Sequence, residues 1–259
     1  MDPRRYRFAR RVVTTAVSMC VLAPHVALAQ SYQILHTFTI NTGDGAQPFA
    51  GLIQGSDGNF YGTTGNGGTN NVGTVFRMDT SGHVTVLHSF VTTDGMFPKA
   101  SLVQGTDGWL YGTTSDRGTL PTPGGAAGVG TVFKIKTDGT SFTNLHTFGQ
   151  SDGNSGIDGW GPMAGLVQGS DGDFYGTTSL GGALGGQGTV FKITSTGTFT
   201  RLHTFTNPEG RTPVAPLIQA SDGNFYGTTT EGGTAGFNTA VHGTIFKICL
   251  LYTSDAADE

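Results

Sequence analysis

The chain has 259 residues, 43 of them Gly, with 36% hydrophobic and only 12% charged residues and a formal net charge of -4. Charged residues at half their usual share of roughly 25%, and Gly at about 1 kcal/mol per helical position, argue against a long-helix protein. Regularly spaced Val, Ile, Phe and Tyr argue against disorder. Between Gln30 and Ile248 nine Lys/Arg stand against fourteen Asp/Glu, a net of -5. No basic stripe is left to neutralise phosphates, so nucleic acid is not an expected partner.

Residues 1–29 begin with Arg4, Arg5, Arg7, Arg10 and Arg11, continue through the apolar stretch 12–22 and end on Ala27-Leu28-Ala29. That three-part order reads as a secretory signal peptide cleaved after Ala29. The alternative, a membrane anchor, needs about 20 consecutive apolar residues, and Thr14, Thr15, Ser18 and Pro24 interrupt the run. The expected location is therefore outside the cytoplasm: extracellular, at the cell surface or in the periplasm, with no transmembrane helix. Of the two cysteines, Cys20 lies in this segment and Cys249 near the other end. The stretch between them offers neither a disulfide nor a thiolate site.

From residue 32 the chain repeats itself. YQILHTF at 32–38 reads as a lone strand. LIQGSDGNFYGTT at 52–64 then returns as LVQGTDGWLYGTT at 102–114, LVQGSDGDFYGTT at 166–178 and LIQASDGNFYGTT at 217–229. Each copy is followed by a Gly-rich loop and by GTVFRM (73–78), GTVFKI (130–135 and 188–193) or GTIFKI (243–248). A short turn leads to VTVLHSF (84–90), FTNLHTF (142–148) or FTRLHTF (199–205). Asp-Gly joins the first two strands of each unit and Ser81-Gly82, Asp138-Gly139 and Thr196-Gly197 the last two. These are turns in which Gly supplies positive φ. Four antiparallel strands repeated about every 50 residues predict an all-β protein, a β-propeller of four-stranded blades. The units fall near 39–90, 91–148, 149–205 and 206–248, about four blade equivalents. Segment 32–38 is the fourth strand that could complete the last unit.

The last eleven residues, CLLYTSDAADE (249–259), break this pattern. They resemble the translation of a transposase adapter from short-read sequencing; the alternative is a genuine polar tail. On the adapter reading the repeat region ends at Ile248 and a C-terminal anchor would lie beyond it.

The unit LIQGSDGNFYGTT…GG…GTVFKI resembles the GloVer tandem repeat, the Gloeobacter–Verrucomicrobia type, of exported bacterial proteins. The resemblance covers almost all of residues 30–248. It implies a propeller with a variable surface-anchoring or sorting segment, and it brings no catalytic residue.

Loop lengths vary only on one end of the blades, at 65–72, 115–129, 179–187 and 230–242 and in the links between units. Function usually sits on such loops over a rigid scaffold. The links share an acid four residues before a Pro: Asp44, Asp94, Asp158 and Glu209 precede Pro48, Pro98, Pro162 and Pro213. A ring of carboxylates could bind a cation or sugar hydroxyls through oxygen ligands. Alternatively each caps its own turn, as a position repeated in every blade suggests. Asp152, in the insertion before Asp158, adds alternating oxygen side chains that point to Ca2+ without the terminal Glu of an EF-hand. Trp160, in the same link, could stack on a sugar. His36, His88, His146 and His203 share one place in the fourth strand and read as hydrogen-bonding between strands. Two functions are expected. One is a non-catalytic binding or display scaffold for a glycan or protein partner, with no cofactor. The other is a propeller-type glycosidase or lyase acting through Asp158 or its equivalents.

Overall fold

A computed structural model describes residues 31–39, 43–118, 129–149, 157–182, 186–206, 209–233 and 242–250. The chain divides into residues 1–34 and a body of residues 35–259. Residues 1–29, expected as a signal peptide, Asp152 and residues 251–259 lie outside the described residues.

All fifteen described strands belong to the body. Blade 1 comprises β1 (Ile53–Gln54), β2 (Phe60–Thr64), β3 (Thr74–Met78) and β4 (Val84–Ser89). Blade 2 comprises β5 (Val103–Gln104), β6 (Leu110–Thr114), β7 (Thr131–Ile135) and β8 (Phe142–Thr147). Blade 3 holds β9 (Val167–Gln168), β10 (Phe174–Thr178), β11 (Thr189–Ile193) and β12 (Phe199–Thr204). Blade 4 holds β13 (Ile218–Gln219), β14 (Phe225–Thr229) and β15 (Thr244–Ile248). Each sheet is an antiparallel meander in sequence order, and the last has three strands. This is the expected propeller architecture.

The Asp-Gly hairpins form because Gly58, Gly108, Gly172 and Gly223 take φ between 77° and 86°, the left-handed region open to Gly without steric cost. Within each blade the Gly of Tyr-Gly-Thr-Thr pairs across from the Phe of the third strand, as Gly112 does with Phe133. A Cβ on Gly112 would stand 2.6 Å from Phe133 Cζ, so the ring lies directly over the glycine. In the three complete blades the pairing of third and fourth strands shifts register by one residue, between Val75/Phe76, Val132/Phe133 and Val190/Phe191. Such a bulge re-aims the side chains beside it.

The core lies between blades. The third strands of blades 1 to 3 are buried on both faces, apart from Arg77, Lys134 and Lys192, as an apolar strand packed between two neighbouring sheets must be. Tyr111 stacks on Phe174 at 3.8 Å and Tyr175 on Phe225 at 4.0 Å, each pair bridging two blades. Phe90, Phe148 and Phe205 meet Phe133, Phe191 and Phe246 of the next blade edge-on at 4.9–5.2 Å. A side-chain latch accompanies them: Ser56 N–H donates to Gln104 Oε1 (2.8 Å), Thr106 N–H to Gln168 (3.0 Å) and Ser170 N–H to Gln219 (2.9 Å).

The segment 32–38, expected as a fourth strand, joins no sheet among the described residues. Among the described residues no third strand precedes it. Its body part, Leu35–Thr39, nevertheless stands where a preceding blade's fourth strand would. Phe38 meets Phe76 edge-on at 5.0 Å, and the Leu35 carbonyl lies against Gly82 as the Leu87 carbonyl lies against Gly139.

Candidate functional site

The repeated polar residues pair with one another. His36, His88 and His146 place Nε2 at 2.8–2.9 Å from Asp44, Asp94 and Asp158, and His203 lies 3.4 Å from Glu209. The second oxygen of the acid takes a backbone donor of its own link: Val91 N–H to Asp94 (2.8 Å) and Gly149 N–H to Asp158 (3.0 Å). Glu209 is held below the usual carboxylate range by the Thr206 hydroxyl and amide. The His88 and His146 rings stack on Phe142 and Phe199 of the following blade at 3.9 and 4.0 Å. The four carboxylates are thus tied to histidine and backbone rather than to one another. The histidines bond to link acids, not across strands as the sequence suggested. The co-occurrence of a fourth-strand His and a link acid in all four units was the available signal.

The Thr pairs of the blades are engaged as well. Thr114 and Thr131 share a 2.8 Å hydrogen bond, as do Thr178 and Thr189, and Thr131 also donates to the Asp94 carbonyl at 3.2 Å. On the hairpin end the Tyr hydroxyls donate to the hairpin Asp: Tyr61 to Asp57 and Tyr111 to Asp107, both 2.7 Å. Burial and this bond push the Tyr61 hydroxyl up to about 12, and Tyr111 is raised for the same reasons. At Asp57 burial opposes ionisation, but the bonds from Tyr61 and Asn59 outweigh it and the carboxyl is lowered. Asp222 falls furthest, held by Asn224, Tyr226 and Lys247.

What varies lies elsewhere. The link segments of all four units line one cavity of about 410 Å3, floored by small residues such as Ala100 and Ala164. The residue after the repeated Pro differs in each unit, Phe49, Lys99, Met163 and Val214, and all four reach this cavity. Phe49 is 61% exposed, Met163 41% and Val214 36%. The residue before the Pro adopts the left-handed region: Gln47, Phe97 and Thr212 have φ of 57–58° and Gly161 61°. For a non-Gly residue that conformation costs about 1–3 kcal/mol and must be held by its surroundings. Here the holding bonds run from Gly65 N–H to the Gln47 carbonyl (2.9 Å), from Phe97 N–H to the Val72 carbonyl and from Thr212 N–H to the Gln187 carbonyl (2.9 Å each). The kink also sets Pro98, Pro162 and Pro213 against the Gly before the preceding blade's third strand, Pro98 Cδ lying 2.5 Å from the place of a Cβ on Gly73. Trp160 pairs its backbone with Leu180 and is 38% exposed. The sequence did not point to the residues beside the Pro, although their variation inside a constant frame was visible.

Among the described residues no group of three or more His, Cys, Asp or Glu could hold a metal ion, and no helix is long and apolar enough to cross a membrane. Meandering four-stranded blades, a shared inner cavity and inter-blade packing define a repeat β-propeller. The chain belongs to the Gloeobacter/Verrucomicrobia repeat family, which matches residues 25–156 and 121–254. Curated proteins give no match. Among solved structures it is similar to a luciferin-regenerating enzyme, with 14% identity, a TM-score of 0.47 and coverage of 78% of this chain and 61% of that one. A gluconolactonase from Xanthomonas campestris gives 16%, 0.48, 78% and 59%, and TolB from Acinetobacter baumannii 16%, 0.43, 78% and 40%. The chain spans about three fifths of the length of the first two.

Proposed function

We propose that the chain is an exported, non-catalytic propeller that binds a glycan or a protein partner on its link-loop end. The observation that carries this reading is a division of labour within the repeat. Side chains common to every unit are committed to the frame through His–acid, Thr–Thr and Tyr–Asp bonds. The residues that differ between units, Phe49, Lys99, Met163 and Val214, line the cavity. Trp160 adds an aromatic face of the kind that covers the apolar side of a sugar ring. A catalytic site needs a nucleophile or a pair of acid/base groups within reach of one reacting atom. The repeated acids are instead occupied one blade at a time.

The test is binding to an array of defined oligosaccharides and to purified extracellular proteins, by wild type and by a Phe49→Ala/Met163→Ala/Trp160→Ala variant. Retained binding in the variant would remove these three side chains from the reading. Reproducible hydrolysis of a polysaccharide or ester by pure protein, abolished by a substitution at Asp158, would replace it with the enzyme reading.

A further inference from the structure

Lys99 follows the repeated Pro of the second link, where the other units carry Phe49, Met163 and Val214. Among the described residues that line the shared cavity, it is the one charged side chain. Other lysines of the body have partners: Lys134 Nζ donates to the Ser195 carbonyl at 2.8 Å, Lys192 pairs with Asp173 at 2.6 Å and Lys247 with Asp222 at 3.2 Å. Lys99 makes no hydrogen bond or ion pair among the described residues, and its Nζ lies 5.7 Å from the centre of the Phe97 ring. The link carboxylates do not serve it. Asp44, Asp94 and Asp158 each hold a histidine at 2.8–2.9 Å.

What surrounds this ammonium is apolar and small. Phe49 and Met163, both exposed, hold the same place in the units on either side and reach the same cavity. The floor is made by the two residues that follow in each link, Ala50-Gly51, Ala100-Ser101 and Ala164-Gly165. These links lie close together. A Cβ on Gly51 would stand 3.7 Å from Ser101 Oγ, and one on Gly165 3.0 Å from the Ser101 carbonyl oxygen. Lys99 therefore sits on a link flanked by its neighbours on both sides, within the array and away from either end of the chain.

We infer that the cavity takes a sugar acid, a hexuronate of an oligosaccharide, with its carboxylate on Lys99 Nζ and the C–H faces of its ring towards Phe49 and Met163. This rests on the binding reading above and narrows it to one class of ligand. A neutral ligand would cover the ammonium and leave it unpaired, at a cost in desolvation that a carboxylate offsets. The charged bond fixes the orientation, and the apolar side chains supply most of the buried area, the usual division in a ligand site. A hexuronate carries its carboxylate on a rigid ring. In an acidic peptide the same group swings on a flexible side chain, which must be ordered on binding. A phosphate backbone is the poorer match, since its binding draws on many cations at once and the stretch from Gln30 to Ile248 has a net charge of -5. The volume of about 410 Å3 lies at the small end of ligand sites, about 300–1,000 Å3, which suits a short segment of a glycan.

The experiment is titration calorimetry of the purified full chain with trigalacturonate, triglucuronate and trimannuronate, each beside its methyl ester, which keeps the ring and removes the charge. At least one acid should bind about tenfold tighter than its ester, the lower worth of a hydrogen bond to a charged group. That preference should disappear in Lys99→Met and persist in Lys99→Arg. Lys99 is exposed, so both variants should fold as wild type does, which circular dichroism checks. Esters bound as tightly as the acids, or a preference that survives Lys99→Met, would overturn the inference and leave the link-loop end as a binding face. Binding of hexaglutamate with the same dependence on Lys99, and of none of the sugar acids, would overturn it in favour of an acidic peptide. Binding only to neutral glycans or proteins of the wider array would likewise overturn this inference alone. No binding to anything in that array would overturn the underlying reading as well.

Discussion

At the scale of single residues, the Tyr–Asp bond of the hairpin end links ionisation to folding. In the unfolded chain a tyrosine ionises near about 10, whereas Tyr61 is pushed up to about 12 by burial and its bond to Asp57. A raised acid keeps its proton longer in the fold, so its contribution is complete below about pH 10 and is lost as pH rises through about 12. The lowered Asp57 and Asp171 work in the opposite direction. Their contribution is complete above the ordinary value of about 3.9 and is lost as pH falls through their lower folded values. We expect a melting temperature that is flat between these limits and drops beyond either. Tyr61→Phe should flatten the alkaline limb while lowering stability at neutral pH by about 1.5–3 kcal/mol, the usual worth of a hydrogen bond to a charged group. Thermal melts across pH check both. An alkaline limb unchanged in Tyr61→Phe would refute the assignment to this bond.

At the scale of the blade, most of the geometry was legible before any coordinates. Repeated apolar segments and Asp-Gly turns located the four strands of the first three units and the three of the last because those patterns are local. The bulge between third and fourth strands was not legible, since it arises from how β3 pairs with β4 and from neither alone. The His–acid pairs were missed for a similar reason. Their partners are six residues apart at His88–Asp94 and twelve at His146–Asp158, so no fixed spacing announces them. The glycine of the second strand is the floor under an aromatic ring. Gly112→Ala would put a Cβ 2.6 Å from Phe133 and 2.8 Å from Leu102, overpacking that costs about 1–3 kcal/mol. Gly58→Asn meets nothing within 4 Å, and Asn tolerates the left-handed φ. We expect it to cost less than Gly112→Ala in urea unfolding, and the reverse order would contradict this account of the blade.

At the scale of the molecule, the core belongs to junctions rather than to blades, so the cost of a given substitution depends on where its blade stands in the array. Leu166 and Leu52 occupy the same place in the repeat, 6% and 49% exposed. Leu166→Ala empties an internal junction and should cost about 2–5 kcal/mol, the range for a buried Leu. Leu52→Ala should cost only a fraction of that, because half of its side chain already faces solvent and little packing is lost with it. Urea unfolding of both variants beside wild type checks the order. A deficit in Leu52→Ala as large as that of Leu166→Ala would contradict a core that is made at the junctions, where the same repeat position counts only when a neighbouring blade covers it.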